Sequence, residues 1–228
     1  MTDYSSQSYW DNRYLNEHHE IFEWYQTFES LKEKIFDYFH PEDKILNIGC
    51  GTSKLAEDLF EEGIKDVINV DYSEQAIKIM EERYQNEESA NLIVHKKMDA
   101  RDMKEFKNET FDIVFDKALL DSMLCGENAL PEVDKMINEV YRVLKDGGTY
   151  IIISNSAEDY RKNLFDKKKW EYKVMEIEKR IKVVVLDEEK DKDPKNYHYI
   201  YVLKKLKEEA PKEEQKEEEK KEEQKEQK

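Results

Sequence analysis

The sequence predicts an α/β fold: a mostly parallel sheet wrapped by helices, closed by an antiparallel C-terminal hairpin and preceded by aromatic-rich helices. Three observations predict it. Short Ile- and Val-rich runs alternate with longer segments whose apolar residues recur three and four apart. That rhythm breaks after Trp170 into two β-rich runs separated by a charged loop. Ahead of the first strand lie two aromatic-rich segments with no strand partner of their own, which must cover something.

The elements follow in order. Tyr9–Tyr14 and Phe28–Phe39 read as the N-terminal helices. Lys44–Ile48, Val67–Val70, Leu92–His95, Phe111–Phe115 and Tyr150–Ile153 read as strands. Between them, Leu55, Leu59 and Phe60 mark one helical face, and Ala76, Ile77, Met80 and Tyr84 a second, opened by Ser73 as an N-cap. Val133, Met136, Ile137, Val140 and Leu144 mark a third, expected to close on Gly147-Gly148. Such alternation implies right-handed βαβ crossovers. Trp170–Leu186, ending in Ile181, Val183, Val184 and Val185, and Tyr197–Leu203 then pair as the hairpin, with Asp187–Asn196 as its charged tip. The tip lacks the turn glycine of a calcium loop.

Composition narrows the function. The chain of 228 residues has 38 Lys and Arg against 54 Asp and Glu, a formal charge of −16. Fourteen Tyr, nine Phe and three Trp supply the large buried areas that a core needs. From Lys207 to Lys228 the chain is nearly all Lys, Glu and Gln and has no apolar face, so disorder is expected there. The acidic body repels phosphate backbones, which argues against nucleic acid and favours a basic protein partner. No apolar run approaches the ~20 residues that a bilayer span requires. Met1-Thr2-Asp3-Tyr4 opens without the basic and apolar regions of a secretory signal. Cys50 and Cys125 make no disulfide framework, so the expected compartment is the cytoplasm or nucleus. His18, His19, His40, His95 and His198 show no ligand spacing with the cysteines, and no metal is expected.

The chemistry gathers at strand ends. Ile45-Leu46-Asn47-Ile48-Gly49-Cys50-Gly51-Thr52-Ser53 is an apolar strand running into a Gly-x-Gly turn, where backbone can approach a ligand closely. Lys54 stands where a dinucleotide fingerprint has its third glycine, which counts against a pyrophosphate ligand. Cys50 inside that turn reads as a small packing residue. Asp71 ends the second strand, where a carboxylate can accept both ribose hydroxyls or merely cap a loop. Asp99 ends the third, within reach of an adenine amino group, and Phe111-Asp112-Ile113-Val114-Phe115-Asp116-Lys117 brings the fourth strand to the same crevice.

Together these motifs resemble the class I S-adenosylmethionine-dependent methyltransferases, whose fold is a Rossmann-like seven-stranded sheet with a reversed last strand. Tyr9-Trp10-Asp11-Asn12-Arg13-Tyr14, Phe22-Glu23-Trp24-Tyr25, the Gly49 turn, Val70-Asp71-Tyr72-Ser73, Phe115-Asp116-Lys117-Ala118-Leu119-Leu120-Asp121 and Tyr197-His198-Tyr199-Ile200-Tyr201 further resemble the eukaryotic lysine methyltransferases that modify translation elongation factor 1 alpha. The resemblance implies S-adenosylmethionine as cofactor and Trp10, Tyr14, Trp24, Gly49, Asp71, Tyr72, Asp99, Ala100 and Lys117 as its contacts, beside Gly51 of the turn. An aromatic lid over a sulfonium makes physical sense, although the same rings serve equally to pack a helix on a sheet. Asp116 and Asp121 both stand near the strand end where substrate would enter, and either could orient the amine; Asp116, in the place of a family acid, is the candidate, while Asp121 reads more simply as a helix-start acid.

The chain departs from those relatives at Asn47, where many enzymes of the class carry an acid. It departs again at Ala157-Glu158-Asp159-Tyr160-Arg161, which keeps only the aromatic-Arg pair of a Pro-His-Phe-Arg run. The base-methylating tetrapeptide Asn-Pro-Pro-aromatic is absent. The expected organisation is a helical cap over the cofactor at 1–40, a methyltransferase core at 41–206 and a charged tail at 207–228. The leading function is methylation of a protein lysine. The alternatives are a small-molecule methyltransferase and a catalytically silent, partner-binding subunit.

Overall fold

Lys44–Ile48 forms strand β1, flanked in parallel by β2 (Asp66–Asp71) on one side and β4 (Phe111–Lys117) on the other. The computed structural model describes residues 3–16, 21–84, 93–179 and 196–207. Beyond β2 lies β3 (Ile93–Lys97), and beyond β4 lies β5 (Leu144–Ser154), both parallel. The far edge is closed antiparallel by β7 (Tyr197–Lys205) and then β6 (Trp170–Glu178). The sheet order β3-β2-β1-β4-β5-β7-β6 is the seven-stranded mixed arrangement expected from the sequence.

The inner strands are buried on both faces, which is why they read as continuous apolar runs rather than alternating ones. Two cores result. On one face α2 (Phe28–Ile35), α3 (Leu55–Glu61) and α4 (Glu74–Tyr84) bury Leu31, Leu59 and Met80 against Ile45 and Phe115. On the other, α5 (Leu119–Met123) and α6 (Ala129–Val143) bury Leu120, Met136 and Val140 against Leu46 and Val114. Ser73 caps α4 as expected, its Oγ accepting from the Ala76 amide at 3.3 Å.

The first aromatic segment is α1 (Gln7–Asn16), of which Trp10 is the buried residue. It lies over the β2–α4 turn: Ser73 Oγ donates to Asp11 at 2.6 Å and Gln7 donates to the Tyr72 carbonyl at 3.0 Å. What it covers is the carboxyl edge of the sheet.

One expectation is corrected. Gly147-Gly148 does not cap α6, which ends at Val143 because Leu144 turns extended and pairs with Phe111 in the sheet. The two glycines lie inside β5, at the register shift between Phe111 and Ile113. Gly147 has φ +80°, and a Cβ on Gly148 would stand 2.9 Å from the carbonyl oxygens of Asp112 and Lys145. They serve an irregular bulge: β5 advances five positions from Leu144 to Thr149 while β4 advances two from Phe111 to Ile113, so β5 absorbs three extra residues. The β-branched residues Ile181, Val183, Val184 and Val185, the hairpin tip, the His18-His19 pair and the tail beyond Lys207 lie outside the described residues. Among those described, no helix is long and apolar enough to cross a membrane.

Candidate active site

The chain runs from β1 outward to β2 and β3, then returns to place β4 on the other side of β1, so a crevice opens at the strand tips. It forms a cavity of about 590 Å³ that reaches from Tyr72 and Asp99 at one end to Asp121 and Arg161 at the other. Gly49 and Gly51 form its floor with φ +61° and +51°, a conformation that L side chains rarely adopt. A Cβ on Gly49 would lie 2.9 Å from Leu119 Cβ, and one on Gly51 2.6 Å from the Tyr14 hydroxyl. The turn is thus glycine for reasons of both backbone and space.

Asp71 is fixed by that turn. Its Oδ2 accepts from the Gly51 amide at 2.9 Å and its Oδ1 from the Ser73 amide at 2.8 Å. Burial outweighs these bonds and, with Asp11 nearby, pushes its pKa up to about 6. Each carboxylate oxygen keeps a lone pair for a further donor. Asp99 enters the same cavity from the end of β3, beside Met98 and Ala100. Burial raises its pKa, but Arg101, donating from Nε at 2.9 Å and from Nη2 at 2.5 Å, more than reverses this and holds the group below the usual range. Arg101 also donates to Glu132 at 2.6 Å, so Asp99 is anchored to α6. Asn47 lines the cavity too, donating to Asn69 at 2.8 Å.

Trp10, Tyr14 and Trp24 come together over this floor. Trp10 stacks on Tyr14 with centroids 6.0 Å apart, meets Trp24 edge-on at 5.9 Å, and donates from its indole to the Tyr4 carbonyl at 2.7 Å. The Arg13 guanidinium lies 4.5 Å from the ring centre of Phe22 and 5.3 Å from that of Trp24. The cluster therefore presents faces that hold a cation.

Lys117 lines the cavity but directs its ammonium to Glu23, forming a buried ion pair, and to the Gln26 carbonyl at 3.2 Å. Glu23 also accepts from the Lys54 amide at 2.6 Å and the Ser53 hydroxyl at 2.9 Å. One carboxylate thus straps the 21–27 segment to the glycine turn and to the tip of β4. The sequence had shown Glu23 only as part of a motif. No local pattern announces a partner 94 residues away.

Asp116 does not line the cavity. It is fully buried, its Oδ1 accepting from the Leu119 amide at 2.8 Å and its Oδ2 from the Tyr150 hydroxyl at 2.9 Å and the Leu120 amide at 3.2 Å. These bonds hold the N-terminus of α5, so the expected direct contact with a substrate amine does not fit its position. Burial, then the Asp121 charge, pushes its pKa up to about 7 despite the Tyr150 hydrogen bond. A folded pKa above the unfolded ~3.8 means stabilisation that is complete below the unfolded value and is lost as pH rises through 7. Urea unfolding of the ligand-free protein is therefore expected to show stability rising from pH 8 to pH 6.5. Asp116→Asn should flatten that rise. Below this window the half-buried His95 and the buried His198, both lowered to about 4 chiefly by loss of water contact, oppose the trend.

Asp121, expected to be an ordinary helix-start acid, lines the cavity instead, together with Tyr25 and Arg161. Tyr25 has φ +62°, and the Gln26 amide bonds back to the Trp24 carbonyl at 2.7 Å, making Tyr25 the centre of a γ-turn. Such a turn costs on the order of 1–3 kcal/mol and persists only where its surroundings over-determine it. Here the ring lies 4.6 Å from that of His198, which in turn bonds the fully buried Gln26 at 3.1 Å.

Comparison with known proteins places this site in context. A family model described as a methyltransferase domain matches residues 39–225. The eEF1A lysine and N-terminal methyltransferase of Mus musculus is 40% identical over 154 residues, covering 67% of this chain and 22% of that protein. The EEF1A lysine methyltransferase 4 of Mus musculus is 34% identical over 167 residues, covering 69% of this chain and 64% of its own length. The chain thus spans about a fifth of the first relative and under two thirds of the second. Among solved structures, a SAM-dependent methyltransferase of Methanosarcina mazei superposes with a TM-score of 0.58 at 21% identity, covering 76% of this chain and 97% of that one.

Proposed function

The chain belongs to the methyltransferase domain family, enzymes that take their methyl group from S-adenosylmethionine, and from that premise we propose that it methylates a lysine side chain of translation elongation factor 1 alpha. The observation that carries the reading is a buried carboxylate and a cation-holding aromatic cluster opening on one cavity.

The donor set fits the cofactor. Asp71 offers one free lone pair on each oxygen to a ribose diol. Tyr72, Asp99 and Ala100 border the place for an adenine, and the Gly49–Gly51 turn lets the backbone approach closely. Trp10, Tyr14 and Trp24 face the sulfonium and exclude water. When bound, the cofactor supplies a methyl group on a positively charged sulfur. The chain's own task is then to hold an amine and strip it of charge. A lysine ammonium titrates near ~10.4, and withdrawal from water into the cavity favours its neutral form. Lys117 acts on the cofactor through Glu23, by holding the aromatic strap closed. An acidic enzyme body suits a basic protein substrate, and we place the reaction in the cytoplasm, where translation occurs.

Titration calorimetry with S-adenosylmethionine and S-adenosylhomocysteine, followed by transfer of labelled methyl to purified elongation factor 1 alpha, tests this reading. Micromolar binding and label on a lysine are expected. Absence of binding below millimolar overturns methyl transfer, and label on a small molecule but on no protein overturns the substrate.

A further inference from the structure

The wall of the cavity remote from Asp71 is built on Asp121, at the third position of α5. Its Oδ1 accepts from the Ser154 hydroxyl at 2.7 Å and from Arg161 Nη2 at 2.8 Å. Its Oδ2 accepts from the Asn155 amide at 2.6 Å and from the Tyr25 hydroxyl at 3.0 Å. A carboxylate offers about four lone-pair sites, and four donors occupy them. An incoming amine cannot bond Asp121 without displacing one of these donors.

The fourth donor is the informative one. An ionised carboxylate only accepts, so the Tyr25 proton lies on the bond to Asp121 and the phenol oxygen turns its lone pairs outward. Both residues line the cavity. A hydroxyl that donates to an anion is itself a stronger acceptor, because the bonds of a chain polarise one another. The γ-turn and the His198 ring hold Tyr25 in place, while Arg161 balances the Asp121 charge.

We propose that the Tyr25 hydroxyl oxygen receives an N–H of the target amine, with Asp121 as the positioning residue that aims it. This rests on the lysine-methylation reading above and adds its acceptor subsite, which takes a primary or secondary alkylamine. A tertiary amine without a proton has nothing to donate there, so the subsite favours amines that still carry hydrogen.

Calorimetry with two probes tests it without turnover: S-adenosylhomocysteine, and an S-adenosylmethionine mimic carrying an aminoalkyl chain in place of the transferable methyl. Wild-type protein is expected to bind the aminoalkyl mimic at least tenfold tighter than S-adenosylhomocysteine. Tyr25→Phe, which keeps the ring and removes only the oxygen, should hold S-adenosylhomocysteine within twofold of wild type and reduce that margin below threefold. If Tyr25→Phe also loses S-adenosylhomocysteine, the margin is read in Asp121→Asn, where a fall of at least fivefold is expected. A margin retained in the variant that is read, or a wild-type protein that binds both probes equally, overturns the subsite and leaves methyl transfer standing. A wild-type protein that binds neither overturns both.

Discussion

Asp71→Ala will lower affinity for S-adenosylmethionine at least a hundredfold while leaving the protein folded. The carboxylate is held by the Gly51 and Ser73 amides and keeps one lone pair per oxygen for a diol. Hydrogen bonds to a charged group contribute about 1.5–3 kcal/mol each, and two of them exceed the ~2.7 kcal/mol of a hundredfold change. Calorimetry measures the loss, and circular dichroism confirms the fold. The same residue sets a pH dependence. With its pKa at about 6, Asp71 is ionised at pH 7.5 and largely protonated at pH 5, so wild-type affinity should fall over that interval. The stability of the ligand-free protein moves the other way. A folded pKa raised above the unfolded value means stabilisation at low pH that is lost as pH rises through 6. Affinity that is flat from pH 7.5 to 5, or an alanine variant that binds normally, removes Asp71 from the cofactor site.

The second large effect lies in the strap. Lys117→Met removes one partner of a buried pair whose side chains are only 7% and 14% exposed, leaving the Glu23 charge without its counterion. Breaking such a pair costs roughly 3–5 kcal/mol. For a chain of this length that corresponds to a fall in melting temperature of about 10 °C. The double variant Glu23→Gln with Lys117→Met should recover most of it, because no buried charge then remains. A thermal-unfolding double-mutant cycle reads the coupling, and additive losses would show the pair to be unimportant. Cofactor affinity should drop in the single variant as well, since Glu23 ties Trp24 and its neighbours to the glycine turn through Ser53 and Lys54.

Much of the molecule was legible because its signals are local. Lys44–Ile48 is β1 to the residue, and Ser73 caps α4 as its position implied, since strand burial and helix capping depend on neighbours a few residues apart. Gly147-Gly148 misled for the same reason. Two glycines after an amphipathic run look like a helix end, and only the pairing of Leu144 with Phe111 shows that the strand has already begun. Asp116 is buried beneath α5 and Asp121 faces the cavity, because the four residues of turn and helix between them rotate the two side chains apart, and no spacing along the chain announces which one emerges.

The sequence by itself determined the alternation of strands and helices, the glycine turn, the acids at the tips of β2 and β3, and the aromatic segments at the start. Each of these is a periodicity or a spacing written along one stretch of chain. The tertiary structure alone decided that Glu23 meets Lys117, that Arg101 clamps Asp99 to α6, and that Tyr25, Arg161 and Ser154 converge on Asp121. Hydrophobic patterning fixes which face of an element is buried, but not which distant polar group it meets. Those partners are chosen when the sheet closes and buried charges must find one another.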